Sequence, residues 1–543
     1  VVLPQKIKDG INLITIQLKN LCNMPDLKTK KRKTGVIAKL SVMKTKKHVL
    51  SQSIPKANSL PSCLNYYYTP KGGKILDKRV TGECKRILDS TVHVSAVKPE
   101  LTVINPEPTV IKPSTHNSPI DKILHGLTDL NFKLDLKLTR TGIDTQALKK
   151  VKVSVKPYTY AKELGKLEHI HYTSTMSKHK QFPNYNRMSH NAKEKLIALN
   201  DGFARGVSKY INEKYKQEYK VSNAFVKLWE IYSTFDWLIV KDKPVTKMFH
   251  MAEAPGQWIN TTNTYFKQHM PPAAKYDWYA NSLNAEHPKI KGVISALKND
   301  YGLIKKYKAR WIWGADETGD ITSPENIRWY GKYITEKLGS IDVVTGDAGL
   351  NINEFGLEFL QKLEFAQMVM VACTSTPGSS CVIKHFLPYL TTHKESKQAS
   401  GFFMSFMYMY QLMFKEFHMF KPLSSSPGSG EFYLVANGFL GLPEEVKNTL
   451  LDALGNFKLN HAIFERHDIP NWFVSKVCGF INKLMQRNMD NKTSEIELLK
   501  CMNKKPTKLD CEYYFGPKFR LAKEQDLEGW LTKYKLNVRT VES

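Results

Sequence analysis

The chain has 543 residues, too many for one typical domain, and its 42% hydrophobic and 11% aromatic content excludes wholesale disorder. Lysine and arginine number 80 against 51 aspartates and glutamates, a net charge of +29. Such a surplus suits a polyanion, with nucleic acid the first candidate and solvated tails the plainer reading. Cys22, Cys63, Cys84, Cys373, Cys381, Cys478, Cys501 and Cys511 form no C-x-x-C pair and meet no histidine cluster. Neither a zinc site nor a disulfide framework is therefore signalled, and reduced thiols in an intracellular protein fit the pattern.

Residues 1–120 stand apart from the rest. They carry the basic runs Lys28, Lys30–Lys33 and Lys44, Lys46, Lys47, then a proline-dotted stretch from Pro99 to Pro119. This reads as a loosely folded or small β-rich basic region followed by a linker, suited to nuclear import, RNA contact or solubility alike. The opening Val1-Val2 in place of Met reads as a cut from something longer, so a targeting segment would be out of view. Residues 121–204 form a mixed extension with a helix expected over Ser189–Asn200.

From 205 to 440 the signal sharpens. Asn212–Phe235 has helical period, with Ala224, Leu228 and Ile231 on one stripe. Short apolar runs at Met248–Ala252, Trp278–Ala280, Trp311–Trp313, Ile341–Thr345, Ser380–Ile383, Phe417–Phe420 and Glu431–Ala436 read as buried strands. Helical stretches such as Phe355–Val371 lie between them. Alternation of this kind predicts an α/β fold with a mostly parallel sheet covered on both faces. The longest apolar run, Phe402–Phe414, is broken by Gln411 and closed by Lys415 and Glu416, so it reads as a buried helix and not a membrane span. Beyond it, 441–543 reads as a helical extension, with amphipathic segments at Glu444–Leu454 and Trp472–Met489.

Two patterns in 205–440 carry chemistry. F-H-M-A-E-A-P-G-Q-W at 249–258 passes from strand to turn to helix. Ala254 and Gly256 permit close backbone approach, Pro255 sets the turn, and the helix offers free N–H groups to an anion. The next strand ends at Ser282 and Leu283, and the one after leads into D-E-T-G-D with Asp316 and Asp320. Carboxylates after successive strand ends can hold ribose hydroxyls and an adenine amine; an ordinary acidic loop is the alternative. Lys227, Asp347, Lys384 and Glu431 each sit in an otherwise apolar or small-residue segment. Singly, Lys227 could snorkel from a helix, Lys384 end a surface strand, Asp347 cap a helix and Glu431 pair across a sheet edge.

Taken together, the A-P-G turn, D-V-V-T-G-D at 342–347, S-S-C-V-I-K at 379–384 and the 421–436 segment K-P-L-S-S-S-P-G-S-G-E-F-Y-L-V-A resemble the FtsJ/RrmJ family of S-adenosylmethionine-dependent RNA 2′-O-methyltransferases. S-N-A-F-V-K-L-W-E-I is similar to that family's first lysine segment. Among members, the A-E-A-P-G, T-G-D-I and K-P-x-S-S stretches look closest to cap-specific enzymes, notably those of large DNA viruses. The resemblance implies a Rossmann-like seven-stranded methyltransferase sheet with helices on both faces. It implies catalysis by Lys227, Asp347, Lys384 and Glu431, and S-adenosyl-L-methionine held by Glu253, Ala254, Pro255, Gly256, Gln257, Trp258, Ser282, Leu283, Asp320 and Asp347. The chain departs at Gln257, where many relatives have glycine or alanine.

For that reaction a ribose 2′-oxygen attacks the methyl carbon of a sulfonium, and the protein aligns the reactants and handles the hydroxyl proton. Lys384 is the expected central group, as base or as electrostatic clamp, with Lys227 a neighbouring cation and the two carboxylates fixing both ammonium groups. No metal ligand is called for. The implied partner is RNA, capped mRNA first and ribosomal RNA second, with other capping or replication proteins besides and no membrane. Tyr66–Tyr68 could stack a cap base. The implied compartment is the host cytoplasm for a viral protein and the nucleus for a cellular one. A catalytically silent RNA-binding scaffold that kept the fold is the rival reading.

Overall fold

The computed structural model describes residues 133–160, 162–164, 206–216, 220–291, 301–349, 352–387, 399–503, 526–537 and 539–540, all within the unit Ser114–Ser543. The basic runs of 28–47, Tyr66–Tyr68, the 99–119 stretch and the helix expected over 189–200 lie outside the described residues.

In chain order the elements are β1 (Leu134–Thr139), α1 (Thr145–Leu148), α2 (Gly206–Lys214), β2 (Tyr215–Lys216), α3 (Asn223–Thr234), β3 (Val245–Met251) and α4 (Gln257–His269). Next come β4 (Lys275–Ala280), α5 (Leu303–Lys306), α6 (Pro324–Leu338), β5 (Val343–Gly346), α7 (Ile352–Thr374), β6 (Ser380–Phe386) and α8 (Ala399–Met413). The chain continues through β7 (Phe414–Lys421), β8 (Glu431–Phe439), α9 (Glu444–Gly455), α10 (Asn471–Asn503) and β9 (Arg539–Thr540). Seven strands join in the order β1-β7-β8-β6-β5-β3-β4. β3 pairs in parallel with β4 and β5, and β5 with β6, while β8 runs antiparallel to β6 and β7, and β1 antiparallel to β7.

Successive strand residues point to opposite faces, and the sequence fills both. Phe249, Met251, Val344, Cys381, Ile383, Leu434 and Met419 pack with α6, α7, α8, α9 and α10. Their chain neighbours Met248, Val343, Val382, Val435 and Phe420 pack with α2, α3, α4 and residues 526–537. Strands buried on both sides explain why they read as unbroken apolar runs. α8 is apolar all round because it is buried all round, from Ser400 to Met413. Cys373, Cys381 and Cys478 are free thiols.

Helix ends follow from local chemistry. Ser323 caps α6 by accepting the Asn326 N–H, Pro324 takes the first helical position, and Gly339 at φ 71° ends it. α7 is interrupted at Gly356, whose φ of 79° and ψ of 165° are not helical.

Four expectations change, the first being that the sheet is mixed and not mostly parallel, since β1, β7 and β8 pair antiparallel. The helix expected from Asn212 to Phe235 is two: α2 stops at Lys214, and α3 begins after Ser222. The Asn212 side chain bridges that gap, donating to the Val221 carbonyl and accepting its N–H, at 2.8 and 2.9 Å. Trp311–Trp313 is not a strand, since only Trp311 bridges to Ala280 between a tight turn at Lys308–Arg310 and Gly314 at φ 82°. The seventh strand is instead β1, a short alternating L-D-L-K-L-T that runs along β7.

Candidate active site

Two sets of groups gather at the carboxyl ends of the parallel strands, the second completed by α3 and by the start of β8. The first surrounds the turn after β3. Ala252 sits at φ 52° and Gly256 at φ 105°, both in the left-handed region, where an L side chain is strained and glycine is not. Asn281, fully buried just after β4, holds this geometry in place. Its Oδ1 accepts the Ala252 N–H at 2.9 Å, and its Nδ2 donates to the Gly319 carbonyl and the Tyr330 hydroxyl, both at 3.1 Å. Its backbone carbonyl also takes the Glu253 N–H. One asparagine therefore ties the loops after β3 and β4 to the 314–322 loop.

The ten residues expected at a cofactor divide by what they do in this structure. Glu253 is committed to α4: its Oε1 accepts the N–H groups of Trp258 and Ile259 at 2.7 and 3.1 Å. Burial pushes its carboxyl up to about 8, against the pull of those two bonds and with help from the nearby Asp347. Trp258 is core, its indole N–H donating to the Ala224 carbonyl. Gln257 Oε1 accepts from the Ser222 N–H at 3.1 Å and the Tyr301 hydroxyl at 2.6 Å, so its buried Nε2 is turned away from those donors and has no partner among the described residues. Ser282 Oγ accepts from the Ala254 N–H at 3.4 Å. Asp320 accepts the Thr322 N–H and hydroxyl at 2.8 and 3.0 Å, which fixes the direction of its carboxylate. Gly319, at φ 74°, lies so close to this strand end that an added Cβ would stand 1.7 Å from the Ser282 carbonyl oxygen and 3.1 Å from Leu283 Cα. Pro255 completes the turn.

The second set is charged. Asp347 follows the last residue of β5, Lys384 lies in β6 opposite Tyr433, Glu431 opens β8 opposite Phe386, and Lys227 projects from α3. Lys227 Nζ meets Glu431 Oε1 at 2.6 Å, and Lys384 Nζ meets Asp347 Oδ1 at 2.9 Å and the Asp347 carbonyl at 2.8 Å. All four side chains are 10–22% exposed. Burial works against charge on Lys384, yet Asp347 and Glu431 outweigh it and raise its pKa above the ordinary lysine value. Burial likewise opposes charge on Glu431, but Lys227, Lys384 and Lys421 hold its carboxyl at about 2. Glu431 and Lys384 thus feel one another across the two ion pairs. Gly349 leaves the lysine its place: a Cβ there would lie 2.9 Å from Lys384 Nζ.

Several residues of this second set escape a reading of the sequence. Lys421, buried at the end of β7, donates to Ser425 Oγ, the Ser429 carbonyl and the Glu431 carbonyl at 2.8, 2.9 and 2.7 Å. Ser425 donates in turn to Glu431 Oε1 at 2.7 Å. Tyr433, fully buried, has its phenol pushed well above its ordinary pKa by burial, then by Glu431 and Asp347. Lys421 and Ser425 lie in the K-P-x-S-S stretch at 421–425, which marks the segment without disclosing these contacts.

A seven-stranded mixed sheet with helices on both faces, a glycine turn after β3 and polar groups gathered at the strand ends define a Rossmann-like methyltransferase fold. Residues 220–439 match the family model described as FtsJ-like methyltransferase. An uncharacterized protein of Acanthamoeba polyphaga mimivirus is 28% identical over 294 residues, 53% of this chain and 35% of that protein. The cap-specific mRNA (nucleoside-2'-O-)-methyltransferase 2 of Pongo abelii is 28% identical over 300 residues, 52% of this chain and 36% of its own length. A probable methyltransferase of African swine fever virus is 26% identical over 249 residues, 44% of this chain and 54% of that protein. The matched region spans about a third of the length of the first two relatives. Among the described residues, no helix is long and apolar enough to cross a membrane.

Proposed function

We propose that this chain is an RNA methyltransferase that places a methyl group on a ribose 2′-oxygen, with the cap-proximal nucleotide of mRNA as acceptor. The observation that carries the reading is the pair of coupled salt bridges, Lys227–Glu431 and Lys384–Asp347, beside the glycine turn. The name of the Pongo abelii relative supports the cap as the acceptor's setting. The reading assigns catalysis to 205–440, with 121–204 and 441–543 as flanking extensions and 1–120 as the basic region that tracks phosphates.

S-adenosyl-L-methionine supplies a methyl carbon already activated by a positive sulfur. The cradle suits such a group: the left-handed Gly256 lets backbone approach, and among the described residues the buried Gln257 amide has a donor without a partner, while Glu253 already takes the first N–H groups of α4. Ala254–Gln257, Ser282, Leu283, Asp320 and Asp347 would hold it, with Glu253 and Trp258 shaping the turn from beneath. On the acceptor side, Lys384 meets the 2′-hydroxyl as an ammonium, since its pKa is raised in the resting protein. Asp347 fixes the direction of that ammonium, whose charge favours loss of the hydroxyl proton to water and steadies the negative charge left on the oxygen, a charge that would be spent as the O–C bond forms and the donor's S–C bond breaks. Lys227 is aimed by Glu431, whose carboxylate stays ionised throughout the neutral range.

Transfer of label from the methyl donor to short capped and uncapped RNAs tests the reading, with Lys384→Ala as the control. Capped RNA is expected to take label at a mapped 2′-oxygen, and Lys384→Ala to lose ~100-fold or more in rate while still binding RNA. Equal labelling by both proteins would reject the enzyme reading in favour of a silent scaffold, and preference for uncapped ribosomal RNA would move the substrate.

A further inference from the structure

Glu230 lies one helical turn beyond Lys227 on α3, and its side chain is buried, with the residue 1% exposed. Its carboxylate accepts the N–H groups of Leu423 and Ser424 at 2.6 and 2.9 Å and the Tyr534 hydroxyl at 3.0 Å, with the Trp530 indole N–H at 3.5 Å. These four donors are neutral. A buried carboxylate is costly without such partners, and hydrogen bonds to a charged acceptor are stronger than those between neutral groups. The group therefore behaves as one unit, in which a missing donor loosens the others.

What that unit holds is the loop 422–430 between β7 and β8. Leu423 and Ser424 lead directly into Ser425, whose hydroxyl donates to the same Glu431 oxygen that receives Lys227. Lys421 clamps the loop from its other side through Ser425 and the Ser429 carbonyl. Tyr534 and Trp530 belong to residues 526–537, more than ninety positions beyond β8 and outside the matched stretch 220–439. That segment is fastened to α3 and α4: Trp229 Nε1 and Ser233 Oγ donate to the Tyr534 carbonyl at 2.9 and 3.0 Å, and Gln268 pairs reciprocally with the Asn537 backbone at 2.7 and 3.0 Å.

We propose that residues 526–537 are a positioning element of the catalytic centre, acting through Glu230 on the 422–430 loop that sets Glu431 and, through it, Lys227. The inference rests on the methyltransferase reading and adds Glu230 and Tyr534 as positioning residues. Neither touches the reacting atoms. Their effect is to fix where Ser425 stands, and a displacement of ~1 Å at a reacting centre can cost ~100-fold in rate.

The full chain, with Tyr534→Phe and Glu230→Gln, provides the test. Tyr534→Phe keeps the ring and removes one hydrogen bond, so it is the variant least exposed to misfolding. Single-turnover methyl transfer at saturating donor is expected to slow about tenfold in Tyr534→Phe and further in Glu230→Gln, with donor affinity unchanged. Amide exchange is expected to quicken in peptides covering 422–430 and to stay as in the native protein over α9. A rate and local exchange like those of the native protein in both variants would overturn the inference, as would exchange raised evenly across the molecule. Absence of transfer by the unmodified chain would fall on the methyltransferase reading instead, and exchange at 422–430 would still decide the coupling.

Discussion

Around Asn281 the loops after β3 and β4 are joined by neutral hydrogen bonds to backbone, whereas around Glu431 the groups are joined by charge. Both clusters stand at the strand ends of one sheet. The first is made from small residues in unusual backbone conformations, so its shape depends on φ and on the space left by absent side chains. The second is made from long side chains whose ionisation states depend on each other. A neutral cradle should therefore be sensitive to a methyl group and indifferent to acid, and a charged cluster the reverse.

The largest expected effect separating them is acid sensitivity at Glu431. Its carboxyl is held at about 2 in the folded protein, below the ordinary glutamate value. A depressed pKa contributes stability that is complete above the unfolded value and is lost as pH falls through the folded one. The stability advantage of the native chain over Glu431→Gln should shrink by roughly 3 kcal/mol between neutral pH and pH ~2, as read by denaturant unfolding at each pH. An advantage that did not change with pH would mean that the three lysines do not hold the carboxylate.

On the neutral side, Gly319→Ala brings a methyl against the Ser282 carbonyl at a φ of 74°. Donor affinity measured by calorimetry should fall about tenfold or more, with RNA affinity retained, because backbone must move to admit the Cβ. Unaltered donor binding would detach the 314–322 loop from the cradle. Asp320→Ala should do less, weakening the donor severalfold and RNA hardly at all, since Asn326 still fixes the loop through the Asp320 carbonyl at 2.9 Å. A larger loss for RNA than for donor would place Asp320 on the acceptor side.

The sequence made the sheet legible because strands buried on both faces are unbroken apolar runs, and the four charged residues stood out because each sits within or beside an apolar or small-residue segment. Edge strand β1 was harder to see: L-D-L-K-L-T alternates over only six residues, and its partner β7 lies far along the chain. Trp311–Trp313 had the composition of a strand and was overruled by the turns on either side of it. Which lysine pairs with which carboxylate could not be read at all, because pairing is set by register, here Lys384 opposite Tyr433 in the ladder of β6 and β8. Asn281, Glu230 and the contacts of Lys421 stayed hidden for a similar reason. Each acts by reaching backbone atoms remote in sequence, and no spacing rule records such contacts.

Strand β1 has a practical side as well. It enters from outside 220–439 and pairs with β7 from Glu416 to Lys421. A fragment trimmed to the matched residues would bare that rim as a row of unspent amides and carbonyls flanked by Phe417, Met419 and Phe420, the kind of template on which chains zip together and precipitate. Anyone expressing the matched region alone should begin ahead of residue 133.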